Sequence, residues 1–251
     1  MSQNVLMAEQ QTRAILLDVE GTTTPVEFVY EVLFPFARRH VGEFIRQHCR
    51  DEEVRADIAA LGAERRADAE RGHGPPAWRE DSDDLRAESA TRYVYWLMDQ
   101  DRKSKALKSL QGKVWEGGYL SGRLRGQVYP DVPPAFARWR GQKRAVYIFS
   151  SGSVLAQQLL FAHTTDGDLT GYISGYFDTA TGAKTDAASY QSIGAKIGSP
   201  AAEVLFLSDV TAELDAARDA GMRTALCVRP GSPEPESPVH QPVHTFDIIF
   251  P

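Results

Sequence analysis

Three short apolar runs each stop on an acid or a hydroxyl: "AILLD" at 14–18, "AVYIFSS" at 145–151 and "VLFLSD" at 204–209. Uninterrupted apolar runs this short read as strands buried on both faces, the pattern of a parallel sheet covered by helices. A fourth run, "TALCV" at 224–228, follows "TAELDAARDAGM", whose Gly221 sits where a short helix closes. After Ser151, "SVLAQQLLFAH" places Leu155, Leu159 and Leu160 near helical spacing. Strand and helix therefore alternate. The expected fold is an α/β doubly wound parallel sheet with a site at the carboxyl ends of its strands.

About 120 residues separate the first two strands, far more than a single crossover needs. Within them "VYEVLFPFARRHVGEFIRQHC" and "SDDLRAESATRYVYWLMDQD" carry apolar stripes opposite charged faces, and "RGHGPPAWRE" at 71–80 parts them. The expectation is a core of residues 1–25 and 127–251 with a helical cap, residues 26–126, inserted over the strand tips as a lid. Gly21 lets the chain leave the sheet sharply. Thr22, Thr23 and Thr24 then form the hinge side of the lid and Pro25 stiffens the exit. The segment "RPGSPEPESPVHQP" at 229–242 reads as a Pro-rich surface loop.

Composition narrows the partners. A net charge of -6 lacks the clustered Lys and Arg that displace counterions from a phosphate backbone, so no nucleic acid is expected. No apolar run approaches the roughly 20 residues of a membrane span, and the first residues lack a signal peptide's basic flank and apolar stretch. Cys49 and Cys227 have neither CxxC spacing nor the density of a disulfide scaffold, and fit reduced thiols. The expectation is a cytoplasmic chain acting on a small molecule, with no membrane partner. Nothing resembles a coiled-coil seam, and a built-in cap needs no lid from a neighbour, so a monomer is expected.

The strand tips carry groups suited to phosphate chemistry. Asp18 is a candidate nucleophile, and Ser150 and Ser151 offer hydroxyls and backbone donors. Asp209 adds a hard oxygen ligand. A carboxylate that attacks an anionic phosphoryl group needs its charge offset, which Mg²⁺ on oxygen ligands supplies. Lys184, in "TGAKTD", adds a further positive charge. A covalent aspartyl-phosphate divides the displacement into two easier steps. Each group also has a plainer reading: a strand-terminal Asp often caps a turn, a lone lysine is usually solvated, and "SSGS" can simply start a helix whose N-terminus binds anions.

"DVEGTT", "YIFSSGS", Lys184 and "FLSDVTAE" resemble, in order and spacing, the four motifs of the haloacid dehalogenase-like (HAD) phosphohydrolase superfamily. The first motif there is usually Asp-x-Asp, and Glu20 departs from it. That departure, with "EGTTTP", "DRKSKALKSLQGKVW" at 101–115 and "RPG" at 229–231, is similar to the enolase-phosphatase branch, which serves methionine salvage. The likeness runs across nearly the whole chain.

The resemblance implies a HAD-like core with one Mg²⁺ per chain. It makes Asp18 the nucleophile and a metal ligand, gives the Glu20 backbone carbonyl to the metal, and makes Asp209 the further metal ligand. Ser150, Ser151 and Gly152 would bind phosphate or substrate, and Lys184 would be the third-motif lysine. Glu213, one helical turn beyond Asp209, would orient Lys184 or the metal's surroundings; its stretch "AELDAARDA" equally reads as an ordinary helix with a charged face. The implied reaction enolises 2,3-diketo-5-methylthiopentyl-1-phosphate and then dephosphorylates it to an acireductone. The enolisation base does not follow from the motifs, and Glu20 is the first candidate because its extra methylene carries the carboxylate farther from the strand.

Alternatives from the same scaffold are a phosphatase for another small keto or sugar phosphate and, less fitting, a dehalogenase, which needs no acidic metal site. A catalytically silent binding protein is disfavoured by the intact Asp18, Lys184 and Asp209. Tyr93, Tyr95, Trp96 and Trp115 either floor a pocket for the methylthio tail or pack the cap. Lys103, Lys105 and Lys108 read as a solvated helix face. His40, His48 and His163 lack metal-ligand spacing, so no zinc site is expected.

Overall fold

The computed structural model describes residues 12–233 and 239–251. Among the described residues six strands form one parallel sheet in the order β3-β2-β1-β4-β5-β6: β1 (Ala14–Leu17), β2 (Ala145–Phe149), β3 (Ile173–Phe177), β4 (Val204–Ser208), β5 (Arg223–Cys227) and β6 (Gln241–Val243). The most apolar run lies at the centre, where β1 pairs with β2 on one side and β4 on the other. All four of its residues are buried. Each fully buried Leu or Ile there contributes about 1.5–3 kcal/mol relative to exposure, which outweighs the weak intrinsic preference of so short a strand.

Helices cover both faces, as a parallel sheet requires. On one, α7 (Ala187–Ile197) and α8 (Thr211–Asp219) close over Leu16, Phe149, Val204 and Phe206 through Tyr190, Ile193 and Leu214. On the other, α5 (Val132–Gly141) and α6 (Val154–Ala162) bring Phe136, Trp139 and Phe161 into one aromatic cluster with Phe246. The Trp139 indole N–H finds its partner in the Ile249 carbonyl at 2.8 Å, so the largest buried ring leaves no polar atom unpaired.

The chain divides into two compact units: residues up to Val29 and from Arg125 on form the sheet unit, and Tyr30–Leu124 form the other. The second unit is helical. It contains α1 (Phe34–His48), α2 (Glu52–Glu70), α3 (Asp83–Asp99) and α4 (Lys105–Leu120), with α1 and α2 each packed on both α3 and α4. Ser82 and Ser104 cap α3 and α4 by accepting from the Leu85 and Leu107 amides.

One helix expected from the apolar stripe is in fact two segments. A π-helical stretch, Phe28–Leu33, gives way to α1 at Phe34, with Pro35 in the first turn of the new helix. Proline has no N–H for the preceding ladder and its ring crowds that turn, so the hydrogen-bond pattern resets there. A second difference concerns the Pro-rich segment: residues 234–238 lie outside the described residues, but Gln241 and Pro242 enter edge strand β6, and Arg229 is buried. An edge strand tolerates Pro242 because one side of its backbone needs no partner. Among the described residues no helix is long and apolar enough to cross a membrane. Cys49 and Cys227 are both free thiols.

Candidate active site

The parallel register brings three strand ends to the same edge of the sheet. Leu17 pairs with Ile148 and with Leu207, so Asp18, Ser150 and Asp209 follow one another across neighbouring strands. Asp18 is held by its own amide, which donates to the Leu207 carbonyl at 3.0 Å, and its side chain is buried. Oδ1 accepts from the Val19 amide at 2.7 Å and lies 2.6 Å from Lys184 Nζ. Lys184 Nζ also stands 2.7 Å from Glu213 Oε2.

Lys184 arrives on the loop between β3 and α7. Its backbone carbonyl accepts from the Tyr190 hydroxyl at 2.7 Å, and Tyr190 is itself wedged against Phe149 and Phe206. The ammonium group sits over the Phe149 ring, 5.7 Å from its centroid. Burial works against the lysine's charge, but the Asp18 and Glu213 carboxylates outweigh it and hold the ammonium protonated above its ordinary range. Lys184 is therefore a fixed cation. Ser208 completes the group: its hydroxyl lies 3.0 Å from Glu213 Oε2 and 3.3 Å from Asp18 Oδ2, and its one hydrogen serves one acid at a time.

After Asp18 the chain turns within five residues. The amides of Thr22, Thr23 and Thr24 all donate to the Val19 carbonyl, and the Gly21 amide donates to the Thr24 carbonyl at 2.9 Å. Gly21 adopts φ +66°, and a Cβ there would stand 2.2 Å from Asp209 Oδ2. Only glycine lets the backbone approach that carboxylate so closely. Burial, then the charges of Asp18 and Asp209, push the Glu20 carboxyl up, with Lys184 pulling the other way. Asp209 is raised to about 6 by burial and by Asp18. Glu213 is raised to about 7, again by burial first and Asp18 second, against Lys184 and Ser208.

This charge balance and the Gly21 cradle provide the test for a divalent cation. Asp18 and Glu213 meet the Lys184 ammonium directly, Glu20 and Asp209 lie within its electrostatic reach, and the charge of Asp18 raises the other three carboxyls. Among the described residues no three His, Cys, Asp or Glu side chains form a ready cage. Magnesium does not ask for one, since it binds through one or two carboxylates and keeps several waters. The hard oxygen donors fit it.

Ser150 is buried, and its Oγ accepts from the Gly152 amide at 3.0 Å. Ser151 is exposed at the tip of this loop and Gly152 is half-buried. Gln157 ties the loop down by donating to the Gly152 and Phe177 carbonyls, both at 2.9 Å. Ser153 caps α6 through the Ala156 amide, so these residues present a helix N-terminus to the same edge of the sheet.

Of the residues singled out in the sequence, Asp18, Lys184 and Glu213 are in direct contact, with Asp209 and Glu20 within electrostatic reach. Glu213 is no ordinary surface residue of α8, because it is buried. Ser208, Tyr190, Gln157 and Arg229 were given no role at the site, although Arg229 opens the "RPG" stretch that carries part of the resemblance. A polar residue on the apolar stripe "VLAQQLLFA", or an arginine directly after "ALCV", was the available signal for two of them. The four aromatic residues are engaged within the helical unit. Tyr93 is fully buried, stacks on Trp96 and donates to Asp68 at 2.6 Å; Tyr95 carries Arg38 and Trp115 donates to the Leu33 carbonyl. Lys103 and Lys105 are exposed.

A family model described as haloacid dehalogenase-like hydrolase matches residues 12–221. Enolase-phosphatase E1 of Synechococcus elongatus (strain ATCC 33912 / PCC 7942 / FACHB-805) is 50% identical over 235 residues, 94% of this chain and 96% of the relative. Enolase-phosphatase E1 of Sorangium cellulosum (strain So ce56) is 47% identical over 245 residues, 98% of this chain and 100% of the relative. Among solved structures, the UTR4 protein of Saccharomyces cerevisiae superposes with a TM-score of 0.77 at 37% identity, covering 94% of this chain and 99% of that one.

Proposed function

The chain belongs to the Enolase-phosphatase E1 family of haloacid dehalogenase-like hydrolases, and from that premise we propose that it converts 2,3-diketo-5-methylthiopentyl-1-phosphate to an acireductone and phosphate. The observation that carries the reading is the buried contact of Asp18 with Lys184 and Glu213 at the carboxyl edge of the sheet, in a chain half identical to enolase-phosphatases.

In the phosphatase half, Asp18 attacks phosphorus and becomes an aspartyl-phosphate as the phosphorus–oxygen bond to the substrate breaks. Lys184 offsets charge on the nucleophile and on the phosphoryl oxygens without itself releasing a proton. Ser150, Ser151 and Gly152, in the loop that leads into α6, position the phosphoryl group. A single Mg²⁺ per chain, held by Asp18, Asp209 and the Glu20 carbonyl, would supply charge neutralisation and Lewis acidity. Water then displaces the phosphoryl group from Asp18.

In the enolase half, Glu20 takes the proton from the carbon between the diketone and the phosphate ester, and returns a proton when the departing oxygen needs one. Burial and neighbouring acids push its carboxyl up, toward the range of a working acid–base group. The test is product analysis: with Mg²⁺ the diketo phosphate should yield phosphate and acireductone absorbance, common phosphomonoesters little of either, and chelation of the metal should stop both.

A further inference from the structure

The turn that carries Glu20 and Gly21 is also held from outside, through two carbonyls its own hydrogen bonds do not use. Thr22 O is held from outside by Arg229, whose Nε and Nη2 donate to it at 2.9 and 2.6 Å. Arg229 lies two residues beyond the end of β5 and is 4% exposed. Its guanidinium carbon is sandwiched between the rings of Tyr129 and Phe246, 4.3 Å from each centroid. Nη1 donates to Asp131 Oδ2 at 2.6 Å, and that oxygen also accepts from the Phe246 amide at 2.6 Å. The next carbonyl of the turn, Thr23 O, accepts from the Tyr129 amide at 3.0 Å.

A buried arginine on a backbone carbonyl is a costly device for stability alone, since an apolar side chain of similar size serves packing as well or better. Its particular capacity is geometric: a planar fork, stacked between two rings, fixes the position of the oxygen it grips. The oxygen it grips belongs to the turn whose Gly21 presses on the Asp209 carboxylate. We propose that Arg229 is a positioning residue for the phosphoryl-transfer site, clamping the Val19–Thr24 turn so that Glu20 and Gly21 keep their place against Asp18 and Asp209. The inference rests on the enolase-phosphatase reading above and adds to it a residue outside the four motifs.

Arg229→Lys keeps the charge but loses the fork, whereas Asp131→Asn removes the counter-charge and keeps both donors on Thr22 O. Both variants and the wild type are compared with Mg²⁺ and the diketo phosphate, at a temperature where circular dichroism shows each folded, and amide exchange at Thr22, Thr23 and Thr24 is followed by NMR. The clamp requires kcat at least 30-fold lower in Arg229→Lys with KM within threefold, and kcat within threefold in Asp131→Asn despite a lower Tm. It also requires exchange of those amides to rise at least tenfold in Arg229→Lys alone. Wild-type kcat in Arg229→Lys, or kcat losses in both variants that simply follow Tm, overturns it. Should Arg229→Lys not fold, Tyr129→Leu takes its place, with a fivefold fall in kcat and faster exchange as the supporting result and no change in either as the refuting one. If the wild type itself makes no acireductone, the enolase-phosphatase reading fails, and the exchange rates still decide whether Arg229 clamps the turn.

Discussion

Lys184 Nζ stands 2.6 Å from Asp18 Oδ1, joining the loop after β3 to the tip of the central strand. The two side chains are 9% and 7% exposed, so little water screens the pair. Asp18 thus keeps one oxygen fixed on a cation, while the other lies near the Ser208 hydroxyl.

Removing that cation leaves two buried carboxylates facing each other. Lys184→Met should lower phosphate release by about 10²–10³ in kcat, the usual loss for one preorganised charge-stabilising group. It should also lower Tm, because breaking a buried ion pair strands the partner's charge. Steady-state kinetics and a thermal melt check both. Lys184→Arg should not restore the rate, since a planar fork cannot replace a point charge held between Asp18 and Glu213.

Gly21→Ala places a methyl group 2.2 Å from Asp209 Oδ2 at φ +66°. It should destabilise by about 1–3 kcal/mol through backbone strain and displacement of the acid, and reduce kcat tenfold or more. Gly72 supplies the control. It has φ +75° but nothing within 4 Å of an added Cβ, so Gly72→Ala should show the strain in Tm and leave kcat unchanged.

Glu20→Gln keeps the size and backbone of the turn but cannot carry a proton. Turnover of the diketo phosphate should all but cease with Asp18 intact. Enolisation at a near-normal rate in this variant, followed by loss of the substrate's proton signal in D₂O, would assign the base elsewhere.

The helical unit has its own titration. Burial tends to raise the Asp68 carboxyl, but hydrogen bonds from Tyr93, Arg102 and His73 dominate and hold it at about 2, below the ordinary 3.8. A carboxyl with a depressed folded pKa stabilises above its unfolded pKa and loses that contribution as pH falls through the folded one. The stability gap between wild type and Asp68→Asn should therefore be full at pH above about 5. It should narrow by about 2 kcal/mol on acidification to about pH 2, at 1.36 kcal/mol per pKa unit. Urea denaturation of both proteins across this range measures it.

The buried central strands were legible because every residue of "AILL" faces a covered surface, which leaves no alternation to confuse with a helix. β3 was not, since "ISGYF" is an edge strand, half-buried and broken by a glycine. β6 was hidden because only three residues, one of them proline, pair with β5. At the site, acids at strand tips announced themselves by being out of place. Arg229 and Asp131 did not, because their contact spans 98 positions of sequence and depends on how two loops return to one turn. Glu213 fell between the two cases: its spacing from Asp209 pointed inward, while its neighbours Asp215 and Asp219 described an ordinary charged helix.

The most direct test follows acireductone absorbance and phosphate release together from the diketo phosphate with Mg²⁺, in wild type and in Asp18→Asn. The account predicts equal amounts of both products from the wild type and phosphate release at least 10³-fold slower in the variant. Phosphate without acireductone from the wild type, or near wild-type release from Asp18→Asn, would contradict it.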